Sequence, residues 1–162
     1  MADEHEIKVS VARQELTVLE QGHCVATFSV STGKNGVGER NGIEQTPRGR
    51  HVIRAKIGAG QPVNSVFVAR RPTGEIYSPA LREQYPARDW ILTRILWLSG
   101  LEPGVNRLGA VDTMRRFVYI HGCPDEDRMG VPSSHGCIKM HNDDIIALFD
   151  MLPYGTRVFI EE

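Results

Sequence analysis

The chain has 162 residues, 41% hydrophobic and 24% charged, with a formal net charge of -1 and a pI near 6.6. That length suits a single domain, residues 1–162, able to bury its own core without disulfides or metals. Basic runs do not exceed the pairs Arg70-Arg71 and Arg115-Arg116, so the clustered cations of nucleic-acid binding are missing and no nucleic-acid partner is expected.

Met1-Ala2-Asp3-Glu4-His5-Glu6 has neither the positive start nor the apolar run of a secretory signal. No transmembrane run follows. The expectation is a cytoplasmic protein with no membrane partner; the alternative is a periplasmic one whose leader has been removed. Cys24, Cys123 and Cys137 cannot all pair within the chain, which fits free thiols in a reducing compartment.

Residues 7–13 alternate apolar and polar side chains, the period of a half-buried strand, and 15–20 repeat the pattern. Gln21-Gly22 turns the chain into a β-rich run over 23–31 that ends at Thr32-Gly33. Residues 34–45 read as a loop, and Thr46-Pro47-Arg48-Gly49 as a turn feeding a strand over 50–56; 63–69 is a further strand. Over 85–98, Trp90, Ile91, Ile95, Leu96 and Leu98 recur at helical spacing, with Ser99-Gly100 closing a predicted helix. A short strand over 117–120 delivers His121. A second helix starts at Asn142 as N-cap, with Asp143 and Asp144 in its first turn and Ile145, Ile146, Leu148, Phe149 and Leu152 on its apolar side. A strand over 156–160 closes the chain. With 16 Gly and 9 Pro to supply turns, the sum is a mainly β domain with two helices, a sandwich or barrel.

The chemistry concentrates in Ser134-His135-Gly136-Cys137, with His121-Gly122 fourteen residues before the second histidine. A free cysteine is only a few per cent thiolate, so a nucleophilic one needs a base or a positive environment. Cys137 is the nucleophile, and a histidine either takes its proton or pairs with it as an ion pair. Gly136 permits positive φ, or close approach of a substrate, just before the thiol. Backbone N–H groups around Gly136 and Cys137 would hold the oxyanion of a tetrahedral intermediate, so the class is acyl transfer through a thioester. Sequence spacing leaves His121 and His135 both open as the base.

These residues resemble the YkuD family of L,D-transpeptidases, whose pattern is His-Gly, a loop of about a dozen residues, then Ser/Thr-His-Gly-Cys. Here His121-Gly122 leads to Ser134-His135-Gly136-Cys137-Ile138-Lys139-Met140; Thr46-Pro47-Arg48-Gly49 and Ser31-Thr32-Gly33 also look like family turns. The resemblance covers nearly the whole chain. It implies a YkuD-type β-sandwich with two peripheral helices, Cys137 as nucleophile and His121 as base, oriented by the Gly122 carbonyl. It further implies oxyanion amides from His135, Gly136 and Cys137, with Ser134 supporting the turn beside the substrate. No cofactor is implied. The implied substrate is a peptidoglycan stem peptide (a muropeptide), attacked at the carbonyl of meso-diaminopimelate with loss of D-Ala by an enzyme of the L,D-carboxypeptidase type that serves muropeptide recycling; a monomer is expected. A cross-linking L,D-transpeptidase and a non-catalytic wall-peptide binding module are the alternatives.

Two positions depart from the family pattern. Cys123 stands where Thr or Ser is usual, as a filler or as an oxidation partner for Cys137. Lys139 stands where Arg or Asn is usual, without arginine's bidentate fork for a substrate carboxylate. Asp125 and Glu126 belong to an acidic loop that is either a solvated turn or a reader of the diaminopimelate ammonium. Arg70 and Arg71 are candidates for carboxylate recognition. A zinc site from His121-x-Cys123 and His135-x-Cys137 would need an unusual one-residue gap, so no metal is expected. Cys24 is expected in the core, and His5, His23, His51 and His141 at the surface or strand edges.

Overall fold

The computed structural model describes residues 5–162. The elements run β1 (His5–Ser10), β2 (Glu15–Glu20), β3 (His23–Ser29), β4 (Gly49–Ile57), β5 (Ser65–Val68), β6 (Arg71–Ile76), α1 (Pro79–Gln84), β7 (Ile91–Gly100), β8 (Tyr119–Gly122), β9 (Ile138–Met140), α2 (Asn142–Met151) and β10 (Arg157–Glu161). The strands follow the order β3-β2-β1-β10-β4-β7-β5-β6, while β8 pairs with β7 and β9 with β8. Just past β3, Ser31 and Lys139 of β9 exchange both backbone hydrogen bonds, at 3.0 and 2.8 Å. The paired path therefore returns on itself, and the sheet wraps around its core.

Period-two alternation fills that core. Ile7, Val9, Leu16, Val18, Ile53, Leu96, Leu98, Ile120, Ile138, Met140, Val158 and Ile160 are essentially inaccessible and form one cluster. Each such side chain contributes roughly 1.5–3 kcal/mol of transfer free energy. α2 adds Ile145, Leu148 and Phe149 from one face. The mainly β reading with two helices holds.

One helix, however, is not where the apolar spacing puts it. Residues 91–100 form β7, the strand at which β4, β5 and β8 all meet. It is buried on both faces, so it lacks the alternation that marks a half-buried strand. A bulge between Leu92 and Ile95 shifts the phase further, with Thr93 at φ 75°. The other helix is α1, capped by the Ser78 hydroxyl, which accepts from Leu81 N, with Pro79 opening its first turn. The Ser-Pro pair was the available signal. β6 also escapes the sequence pattern: its Pro72 and Gly74 are tolerated because it is an edge strand.

Two single-residue expectations are corrected. Cys24 is exposed, because β3 is an edge strand facing solvent and a bulge in β2 at Val18/Leu19 resets the register beside it. His51 is fully buried, held between the Gly49 carbonyl and Thr113 Oγ1, each at 3.0 Å. Burial pushes its imidazole down to about 4.

Candidate active site

The alternation that fills the core also builds the opposite face. Ile120, Ile138 and Leu96 point inward, so their neighbours Tyr119, His121, Lys139, Ile95 and Trp97 point outward. β8 and β9 run parallel with Ile120 opposite Ile138 and His121 opposite Lys139. That register sets Cys137 beside Tyr119, whose backbone N–H donates to Sγ at 3.3 Å. Cys137 and His121 are thus successive positions on one face, a backbone separation of roughly 7–8 Å, with the thiol hydrogen-bonded to Tyr119 and Phe117 rather than to the imidazole.

The loop before Cys137 is fixed from several sides. Gly136 has φ 127°, and a Cβ there would lie 3.0 Å from the Gln45 carbonyl, so both the conformation and the space require glycine. Thr46 is buried; its Oγ1 accepts from Gly33 N at 2.8 Å and donates to the Gly136 carbonyl at 2.9 Å. Ser134 Oγ donates to the Cys137 carbonyl and accepts from Gly136 N at 3.1 Å. The Gly136 amide is therefore committed within the loop. The amides of His135 and Cys137 have no acceptor among the described residues and stay available for an oxyanion.

His121 is almost wholly buried, and its Nδ1 lies 2.6 Å from the Gly122 carbonyl. A carbonyl only accepts, so Nδ1 carries the proton and Nε2 of the neutral ring keeps its lone pair. Gly122 has no room for a side chain: a Cβ would meet Leu92 O and Asn142 Oδ1 at 2.6 Å each. Burial lowers the imidazole's pKa, helped by the nearby Lys139 charge. Burial also pushes the Cys137 thiol up to about 12, against the Tyr119 N–H, Arg116 and Lys139; Cys137 keeps part of its surface in solvent, which tempers the rise. Both shifts favour the neutral thiol and the neutral imidazole. The thiol's partners are the Tyr119 N–H and, at 3.5 Å, the Phe117 carbonyl.

Cys137 opens onto a cavity of about 460 Å³ lined by Arg70, Asp89, Ile91, Arg116, Phe117, Tyr119, His135 and Gly136, among others. His135 is exposed, with Nδ1 3.6 Å from the Asp89 carboxylate.

The remaining sequence-selected residues fall around this centre. Lys139 is buried and pairs with Asp127 at 3.2 Å, lining a separate groove with Arg82 and Glu126. Asp125 accepts from Asn142 Nδ2 at 3.1 Å, and Glu126 accepts from the Tyr77 hydroxyl. Neither carboxylate lines the cavity at Cys137. Cys123 is buried with Sγ 3.2 Å from the Met140 carbonyl. Four positions along parallel strands, roughly 13 Å, separate it from Cys137, well beyond the reach of a disulfide. Among the described residues no three His, Cys, Asp or Glu side chains converge on a metal-sized point.

Asn142 is the first residue of α2 rather than its cap, which is His141. Its buried amide accepts from Thr93 Oγ1 at 2.6 Å and donates to Asn64 and Asp125. This network packs behind Gly122 and had no sequence signal, since it joins four separate segments. Asp89 and Arg116 were equally invisible as site residues.

Comparison with known proteins agrees with this geometry. A family profile described as "YkuD: L,D-transpeptidase catalytic domain" matches residues 4–160. A probable L,D-transpeptidase, YbiS of Escherichia coli K12, is 33% identical over 127 residues, 72% of this chain and 40% of that protein. A putative L,D-transpeptidase, YkuD of Bacillus licheniformis, is 27% identical over 156 residues, 96% of this chain and 65% of that protein. The chain thus spans less than two thirds of these curated relatives. Among solved structures, L,D-transpeptidase 3 from Mycobacterium tuberculosis, in complex with a faropenem-derived adduct, superposes with a TM-score of 0.60 at 16% identity, over 98% of this chain and 60% of that one. That likeness shows the fold.

Proposed function

This chain belongs to the YkuD family of L,D-transpeptidase catalytic domains, and on that footing we propose that it is a cysteine acyl-transfer enzyme acting on peptidoglycan stem tetrapeptides. The bond attacked is that between meso-diaminopimelate and the terminal D-Ala. The observation that carries the reading is the outward face of β8 and β9: a cysteine on a glycine-shaped loop, two unsatisfied amides, and a buried imidazole with its Nε2 lone pair free.

The steps follow from those groups. His121 Nε2 takes the Cys137 proton as Sγ attacks the carbonyl, since neither partner is charged at rest. The oxyanion sits on the His135 and Cys137 N–H groups. Collapse breaks the C–N bond, and the imidazolium returns its proton to the departing D-Ala amine. Water, deprotonated by the same Nε2, then hydrolyses the thioester.

We take water as the acceptor and trimming of recycled muropeptides by a cytoplasmic monomer as the setting. The names of the relatives, all L,D-transpeptidases, favour a second reading in which an amine resolves the thioester and 3-3 cross-links form. Mass-resolved chromatography of a disaccharide-tetrapeptide digest, beside Cys137→Ala, tests both. Tripeptide with free D-Ala means hydrolysis; dimers joined between third residues mean transpeptidation. Faropenem, which is held as an adduct by the mycobacterial protein, should add its mass at Cys137. No adduct and no D-Ala release would leave only a binding module.

A further inference from the structure

The cavity at Cys137 is lined by three charged groups that the acyl-transfer chemistry does not use, Asp89, Arg70 and Arg116. Asp89 is half-exposed within it, and its one polar neighbour among the described residues is His135 Nδ1 at 3.6 Å, beyond hydrogen-bond distance. The carboxylates of the neighbouring acidic loop are engaged: Asp125 by Asn142, Glu126 by Tyr77, Asp127 by Arg82 at 2.8 Å and by Lys139. Asp89 is therefore the open carboxylate lining the cavity of the nucleophile.

Arg70 is the matching cation. It sits in the two-residue hairpin between β5 and β6, closed by the pair Val68 and Arg71. Ala69 and Arg70 have φ 48° and 64°, the sense of a type I′ turn, which ordinarily calls for Asn-Gly. Strain of this kind persists only where surroundings over-determine it. Here the surroundings are the rings of Trp97 and Phe117, 4.6 and 4.8 Å from the guanidinium carbon, and the Tyr119 hydroxyl, which accepts from Nη1 at 2.9 Å. The rings occupy the guanidinium faces and leave most of its N–H edge free, the edge that grips a carboxylate with two bonds. Arg116, by contrast, directs both terminal nitrogens to the Gly38 and Gln45 carbonyls.

Resting on the acyl-transfer reading above, we propose that Asp89 and Arg70 determine specificity by reading a zwitterionic amino-acid head group on the donor's side chain, Asp89 taking its ammonium and Arg70 its carboxylate. Meso-diaminopimelate carries both charges at the end of its side chain; lysine carries the ammonium alone.

The test compares four tetrapeptides that differ at the third residue: meso-diaminopimelate, its side-chain carboxamide, L-lysine and Nε-acetyl-lysine. Each charged group recognised should raise kcat/KM by about tenfold or more, mostly through KM. Arg70→Gln erases the preference for diaminopimelate over its carboxamide and leaves the lysine pair unchanged. Asp89→Asn erases the preference for lysine over acetyl-lysine, and Asp89→Glu restores part of it. Variants that slow all four peptides equally, or leave the ratios intact, overturn the proposal. Faropenem addition at Cys137 reports acyl transfer separately. Should wild type release no D-Ala, calorimetric binding of the corresponding tripeptides to Cys137→Ala, with and without the two variants, still decides head-group recognition.

Discussion

His121 and Lys139 are register partners in the parallel pair of β8 and β9, and both point to the outward face. The ammonium beside the ring disfavours imidazolium, while Asp127, paired with that ammonium, works the other way. Replacing Lys139 by Met removes the cation beside the ring while Asp127 stays paired with Arg82, so the His121 pKa rises. The acid limb of the acylation rate should then move to higher pH, and Lys139→Arg should leave it in place. A limb that stays put in Lys139→Met would remove Lys139 from the tuning of the base.

The neutral resting pair makes a second expectation. Without substrate, Cys137 at pH 7 should react with iodoacetamide more slowly than an unperturbed thiol, whose pKa is about 8.5. Its alkylation rate should keep climbing past pH 9. Fast alkylation at pH 6 would instead mean a preformed thiolate–imidazolium pair.

Thr46 holds the catalytic loop from across the molecule, through one bond accepted from Gly33 N and one donated to Gly136 O. Thr46→Val leaves a buried amide and carbonyl without partners, which costs roughly 1–3 kcal/mol. Denaturant midpoints should show that loss, and D-Ala release should fall by more than stability alone explains. Thr46→Ser keeps the hydroxyl and should recover most of both; equal defects in the two variants would mean that the two hydroxyl bonds do not account for the effect.

Acid should destabilise the fold through His51. Its folded pKa, about 4, lies below the ordinary imidazole value of 6.5. The unfolded chain therefore binds the extra proton first, and stability present above pH 6.5 drains away as pH falls toward 4, by roughly 3 kcal/mol in all. Guanidinium midpoints at pH 7, 5 and 4 measure this. His51→Gln should flatten the slope, and an unchanged slope would assign the acid sensitivity elsewhere.

The half-buried strands announced themselves because one face meets solvent: β1, β2 and β4 alternate as the residues around 7–13, 15–20 and 50–56 suggest. β7 did not, since both its faces are covered. Cys137 was legible as the candidate nucleophile because its motif is contiguous; spacing left His121 and His135 open as its base, and only the family resemblance favoured His121. Arg70 was visible only as a candidate cation, and Asp89 not at all. Their presence in the cavity depends on a hairpin turn and on the end of a buried strand, neither of which leaves a spacing rule. The acidic loop was legible as charge but not as occupied charge, because its partners Tyr77, Arg82 and Asn142 come from distant segments.

β10 lies between β1 and β4, parallel to the first and antiparallel to the second. It alone stitches the β1–β3 hairpins to the remainder of the ladder on that side. During synthesis those hairpins emerge before β10 and then wait, with an open edge along β1, until residues 157–161 have been made. Such an edge is an invitation to pair with a neighbouring nascent chain. Folding yield should accordingly be most sensitive to chaperones and crowding in the interval before residues 157–161 arrive.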